Sequence, residues 1–203
     1  PHPRYDDADF QITFQESGKD QNQNGVDDFI DILNGGKQEA QRHPTYRSAY
    51  YDGGYPPKEE GVCTDVIWRS LQEAGYDLKA LVDADIASCV TCYPRVNGVP
   101  DPNIDFRRVP NLQVFFARHT KVLTTDLERI EEWQAGDIVV FSDSHIGIVS
   151  EVRNYRGVPF LIHNGNLPKM EEDCLWREDM LKGISGHYRF LYHEDVNDTT
   201  SLE

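Results

Sequence analysis

Apolar positions along the chain follow two different periods. Val66, Ile67, Leu71 and Ala74 recur at the three- and four-residue spacing of a helix, with Ser70 on the same face, and Gly75 offers a stop. Phe29, Ile30 and Leu33 show the same spacing, although Gly35-Gly36 behind them disfavours a long helix. Pro110 suits the first turn of a further helix that buries Leu112, Phe115 and Phe116. From 138 onward the period shortens to that of strands. Segments 138–141 and 146–152 flank Ser142-Asp143-Ser144 as a hairpin, and 160–163 and 187–192 read as two more strands. Residues 50–57 read as a loop packed by its own aromatics, and 77–105 as loop with short helical patches. Helices first and an antiparallel sheet afterwards predict an α+β domain.

Composition narrows the function classes. The 203 residues carry 35 acidic against 20 basic side chains, a net charge of −15. The densest basic run is Arg107-Arg108, too little to neutralise a nucleic-acid backbone, so nucleic acid is excluded as a partner. No apolar run approaches the roughly 18 residues of a membrane span.

Candidate chemistry begins at Cys63, placed where the helical pattern starts. Unpaired N–H groups and the positive end of the helix dipole there favour a thiolate and could hold an oxyanion. His145 opens a strand after the hairpin, and His163 ends the next one. Strands lie about 4.8 Å apart, so the two rings can meet on one face. A thiol, a base and an orienting group are the parts of covalent acyl chemistry. Taken singly, each of these residues is equally at home in a core or on a surface; their order in the chain is what points to chemistry.

Trp133-Gln134-Ala135-Gly136-Asp137-Ile138-Val139-Val140-Phe141, then His145-Ile146-Gly147-Ile148-Val149 and Leu161-Ile162-His163-Asn164, resembles the NlpC/P60-like branch of the papain-like cysteine peptidases. Gly53-Gly54-Tyr55-Pro56, Gly61-Val62-Cys63-Thr64-Asp65, the 103–112 segment and Gly186-His187-Tyr188-Arg189-Phe190 are similar, more closely, to the uncharacterised DUF1287 family within it. The resemblance implies a papain-like fold with Cys63 as nucleophile, His145 as base and His163 as orienter. It further implies a cysteine amidase or peptidase acting on cell-wall peptide. Tyr51 or Tyr55 would line the site, with Asp65, Arg107 and Arg108 as further substrate contacts. Many murein peptidases of that branch place Asp before the nucleophile; here Val62 precedes Cys63, so recognition of a free amino terminus is not carried over. An acyltransferase or thioesterase on the same fold, or a non-catalytic calcium-stabilised binding module, are the alternatives.

Near the amino end, Asp20, Asn22, Asn24, Val26, Asp28 and Asp31 occupy positions one, three, five, seven, nine and twelve of a loop with Gly25 at its sixth place. The loop resembles thrombospondin-type and EF-hand-like calcium repeats, Val26 contributing a carbonyl, which implies one structural Ca²⁺ of weak affinity and no cofactor for catalysis. The domain plan is then 1–43 for the calcium-loop segment and helix, 44–193 for the peptidase-like domain and 194–203 for a tail. Cys89 and Cys92 suit a local disulfide or two free thiols; zinc would need distant Cys174. Together these readings lead us to expect a monomeric, exported protein of the cell wall or periplasm, with an export segment removed ahead of Pro1.

Overall fold

The computed structural model describes residues 4–192. Among the described residues five α-helices are formed: α1 (Asp28–Arg42), α2 (Cys63–Glu73), α3 (Leu78–Ser88), α4 (Val109–His119) and the single-turn α5 (Glu178–Leu181). A short parallel pair joins β1 (Thr45–Tyr46) to β2 (Glu60–Gly61). The main sheet contains β3 (Lys121–Val122), β4 (Ile138–Phe141), β5 (His145–Arg153), β6 (Pro159–Ile162), β7 (Glu171–Glu172) and β8 (Ile184–Arg189). Its order is β3-β8-β4-β5-β6-β7 and every pairing is antiparallel. The domain is thus α+β, as the change of period predicts.

Alternation along the strands separates two cores. Ile138, Val140, Ile146, Ile148 and Ile162 face the helices, where they meet Phe29, Ile32, Val66, Ile67 and Leu71. Val139, Phe141, Val149 and Leu161 point the other way, onto Trp133, Cys174 and Leu175. Both faces of the central strands are covered, so those strands read as continuous apolar runs.

Two elements depart from the sequence expectation for identifiable reasons. Helix α1 runs straight through Gly35 and Gly36. A Cβ on Gly35 would lie 2.6 Å from Ser70 Cα, so the glycine permits α1 to cross α2 closely, and that packing outweighs a helix penalty of about 1 kcal/mol. Helix α3 replaces most of the expected loop. Leu78, Val82 and Ile86 form a stripe one residue wide, and the charged Asp85 shares the buried side, which blurs the periodicity. Arg118, Tyr93 and His119 surround that carboxylate. The last strand also begins earlier than the apolar pattern suggests, at Ile184. Cys89 and Cys92 form a disulfide, which removes them from any zinc set. No helix among the described residues is long and apolar enough to cross a membrane.

Candidate active site

Helix α2 starts at Cys63 because the chain on either side fixes it there. Val62 is extended, and the Asp65 carboxylate accepts the Val62 N–H at 2.7 Å, satisfying a donor that the helix cannot. Asp65 is itself held by Trp68 Nε1 at 2.7 Å and by Arg107 through Nε and Nη2 at 2.8 and 2.9 Å. Arg107 also donates to Ala49 O at 3.0 Å, and Thr64 Oγ1 donates to Arg107 O at 3.1 Å. The start of α2 is therefore clamped to the 105–107 turn. Of the two expected substrate contacts, Asp65 is buried and held by Arg107, Trp68 and the Val62 N–H, whereas Arg107, though paired with Asp65, still lines the groove over Cys63.

The Cys63 thiol is buried and free of any disulfide. Burial pushes it up to about 11, against the pull of the backbone N–H groups of Ile146, Thr64 and Cys63 itself, and the Asp65 charge adds to the rise. The helix start alone therefore does not produce the thiolate expected there: desolvation outweighs the dipole. With a folded value above the ordinary one, the thiolate appears only as pH climbs. We expect alkylation of Cys63 by iodoacetamide in the free protein to be slow at neutral pH. It should rise about tenfold per pH unit up to the titration near 11. A rate that levels off below pH 8, followed by mass spectrometry of the labelled peptide, would contradict this.

His145 begins β5 and His163 directly follows β6. Their rings stand nearly perpendicular, with His145 Nε2 and His163 Nδ1 2.7 Å apart. Burial lowers the pKa of His145, and takes His163 down to about 3 with help from the His145 and Arg177 charges, so both rings are neutral at pH 7. One proton then lies between the facing nitrogens, leaving His145 Nδ1 as the ring nitrogen turned to other partners. Asn164 is not the partner of His145: its amide donates to Pro44 O and Gly61 O, both at 3.2 Å. Among the described residues no hydrogen bond joins the thiol to the His145 ring. The thiol meets the start of β5 through the Ile146 N–H, one residue along. Of the expected contacts, the histidine pair is formed and the thiol–histidine bond is not.

A groove of about 490 Å³ opens over Cys63, lined by Tyr46, Arg95, Arg108, Asp143 and Ser144 among others. Arg108 reaches it half-buried, with Nη1 on Asp105 at 2.8 Å. Tyr46 carries the aromatic expected upstream of the nucleophile; burial raises its phenol pKa, and the Cys63 charge adds to that. Tyr51 instead donates to Glu60 at 2.7 Å and lies beneath the Arg107 guanidinium. Tyr55 packs on Trp68 and Phe106 in a different cavity. Tyr46 escapes sequence reasoning because a parallel pairing, Tyr46 opposite Gly61, brings it beside the nucleophile. Arg95 is likewise an addition from a turn that carries no motif.

The acidic loop closes upon itself. Asp20 accepts the N–H groups of Asn24 and Gly25 at 3.0 and 2.8 Å, and the Asn22 and Asn24 amides converge on Asp31 Oδ2 at 2.8 and 2.9 Å. Gly25 takes a φ of +86°, which the turn requires. Asp28, also expected as a ligand, is turned toward the core, where its oxygens accept the Gln21 N–H and the Tyr76 hydroxyl at 2.8 and 2.6 Å. Asp20, Asn22 and Asn24 of the loop remain gathered with Asp31 in the first turn of α1.

Comparison with known proteins adds a family but no activity. The "Uncharacterized protein YijF" of Escherichia coli (strain K12) is 41% identical over 154 residues, covering 73% of this chain and 73% of the relative. No solved structure matches. The family described as "Domain of unknown function (DUF1287)" matches residues 33–190, so the chain belongs to the DUF1287 family.

Proposed function

We propose that this chain is a cysteine hydrolase that cleaves an amide bond, in a peptide of the bacterial cell wall, through a Cys63 thioester. The observation that carries the reading is the 2.7 Å contact between His145 and His163 beside a helix-initiating thiol at the floor of a groove. As the substrate carbonyl enters, His145 Nδ1 takes the thiol proton while Sγ attacks the carbon. The N–H groups at the start of α2 face the oxygen that becomes negative. His145 returns the proton to the leaving amine, and water, deprotonated by the same nitrogen, releases the acid. A protonated resting thiol suits this order of events, because proton transfer and attack are coupled in the bound complex. His163 holds the His145 tautomer. Apo sites of this kind tighten on substrate, which accommodates the missing thiol–histidine bond. Incubation with murein fragments tests it: mass spectrometry should find one new amine and one new carboxyl end.

The raised thiol pKa specifically favours a second reading, a non-catalytic binding module. Unchanged fragments, together with fragment binding to the groove, would establish that one. An acyltransferase or thioesterase would instead yield product only with an acyl thioester or lipid ester.

The calcium loop belongs to the same proposal as a structural site. Asp20, Asn22, Asn24 and Asp31, with the Val26 carbonyl, would hold one ion, Asn22 and Asn24 through the Oδ1 atoms that now accept the Asn24 and Val26 N–H groups. With affinity in the extracellular range of about 10⁻⁴–10⁻³ M, 10 mM calcium should stabilise the fold by about 1.4–2.7 kcal/mol. Melting curves with calcium and with chelator check this; superimposable curves would remove the site. Such weak affinity suits an exported protein of the wall or periplasm, which cell fractionation tests; that the chain acts as a monomer is a separate part of the proposal, which size-exclusion chromatography tests.

A further inference from the structure

Behind the histidine pair lies a second cluster that the hydrolase reading leaves unused. His163 Nε2, the nitrogen not facing His145, is 3.7 Å from Glu172 Oε2 and 3.9 Å from Cys174 Sγ. All three donor atoms lie within 4.8 Å of one another. Glu172 Oε2 is buried and makes no hydrogen bond, and Cys174 is a fully buried free thiol. Buried polar atoms are almost always partnered, so a carboxylate oxygen left unpaired between an imidazole and a thiol calls for a ligand. Donors around one tetrahedral ion with bonds of about 2.0–2.3 Å stand about 3.5 Å apart. The observed separations to His163 are within a few tenths of that. Glu172 sits on β7, a two-residue edge strand that can yield the remainder, and it borders a surface cavity of about 290 Å³ through which an ion can enter.

We propose that His163, Glu172 and Cys174 form a binding site for a soft divalent cation of the zinc class, and that its occupancy switches off the His145 base. The donor set selects the metal: imidazole and thiolate suit zinc, whereas calcium and magnesium take oxygen. Cys174 loses its proton to solvent on binding, and three protein ligands leave a fourth position for water. Arg177 acts against the ion from nearby, while Glu172, Asp173 and Asp179 act for it.

The switch follows from counting protons on two rings. Without metal, the tautomer that leaves His145 Nδ1 able to accept carries hydrogen on His145 Nε2, which donates to His163 Nδ1. His163 then carries its hydrogen on Nε2. A metal on His163 Nε2 requires that lone pair, so the His163 proton moves to Nδ1 and donates to His145 Nε2. The His145 proton must then reside on Nδ1, and a nitrogen bearing hydrogen cannot take one from Cys63. Inhibition and the metal-free tautomer from which the shift starts rest on the hydrolase reading; metal binding does not.

The test uses the full chain without reductant, with Cys63→Ser in place so that Cys174 is the only free thiol. Cobalt(II) titration should produce an intense near-ultraviolet thiolate-to-metal band, bleached by zinc and absent in Cys63→Ser/Cys174→Ser. Glu172→Gln should weaken cobalt binding by more than about tenfold. Nitrogen NMR of ¹⁵N-histidine protein should show the His145 proton on Nε2 without zinc and on Nδ1 with it. Failure of the band to form, or its survival without Cys174, overturns the site; an unmoved His145 proton in zinc-loaded protein overturns the switch. If the band and the tautomer shift stand while murein fragments remain uncut, the hydrolase reading falls and the metal site is retained.

Discussion

Under the proposed mechanism, Cys63→Ser should leave murein fragments uncut, and His145→Ala should reduce their cleavage by about 10²–10⁴-fold in kcat/KM, the range for loss of a general base. The resting thiol makes the dependence on His145 unusually strong. Burial holds Cys63 near 11, so a base in the bound complex must supply the deprotonation that the helix start does not. His163→Ala should fall between wild type and His145→Ala: the base remains, but its tautomer is no longer held by the 2.7 Å contact. The pH profile separates chemistry from folding. The proposed mechanism needs His145 neutral, and burial lowers its pKa, so the acid limb of kcat/KM should lie below pH 6.5. In His163→Ala that limb shifts, whereas a merely destabilised fold would lose amplitude at every pH. Full cleavage by Cys63→Ser would end the thioester mechanism, because an unactivated serine hydroxyl is a far poorer nucleophile at that position.

Much of this arrangement is legible along the chain, for a local reason in each case. Helix α2 and the β4–β5 hairpin announce themselves because their core-facing residues follow one period without interruption. The histidine pair is legible because two strands joined by a short connection must be neighbours, and His145 and His163 sit at the matching ends. What the sequence hides is non-local or charged. Tyr46 reaches the groove through a two-residue parallel pairing, and α3 is masked by a carboxylate whose partners come from other segments. Asp28 occupies a calcium-ligand position in the sequence, but Tyr76, far along the chain, claims one of its oxygens. The thiolate expectation fails on magnitude: a helix terminus contributes about 0.3–1 kcal/mol at the surface, less than the desolvation of a thiol buried beneath β5.

Arg107→Met should destabilise the protein by about 3–5 kcal/mol, the largest stability effect expected of any substitution around the groove. Arg107 and Asp65 are both buried, and their bidentate pairing at 2.8 and 2.9 Å is supported by the Val62 N–H and the Trp68 indole. Removing the guanidinium leaves a carboxylate in the core with neutral donors only, and an unpaired buried charge is far costlier than the pair was worth. For a domain of this size, with about 2–4 °C per kcal/mol, melting should fall by about 6–20 °C. Asp65→Asn should lose less, because Arg107 keeps the Ala49 carbonyl as an acceptor and the amide oxygen can still accept the Val62 N–H. The double variant Asp65→Leu/Arg107→Met separates the two contributions. It removes both charges and also the cap on Val62, a loss of about 1 kcal/mol, so it should be more stable than Arg107→Met alone. Calorimetry on wild type, Asp65→Leu, Arg107→Met and the double variant gives the coupling energy, and additive losses would mean that the ion pair does not clamp the helix start. Cleavage measured on the same four proteins at a temperature where all are folded then reports whether that clamp also sets the position of Cys63.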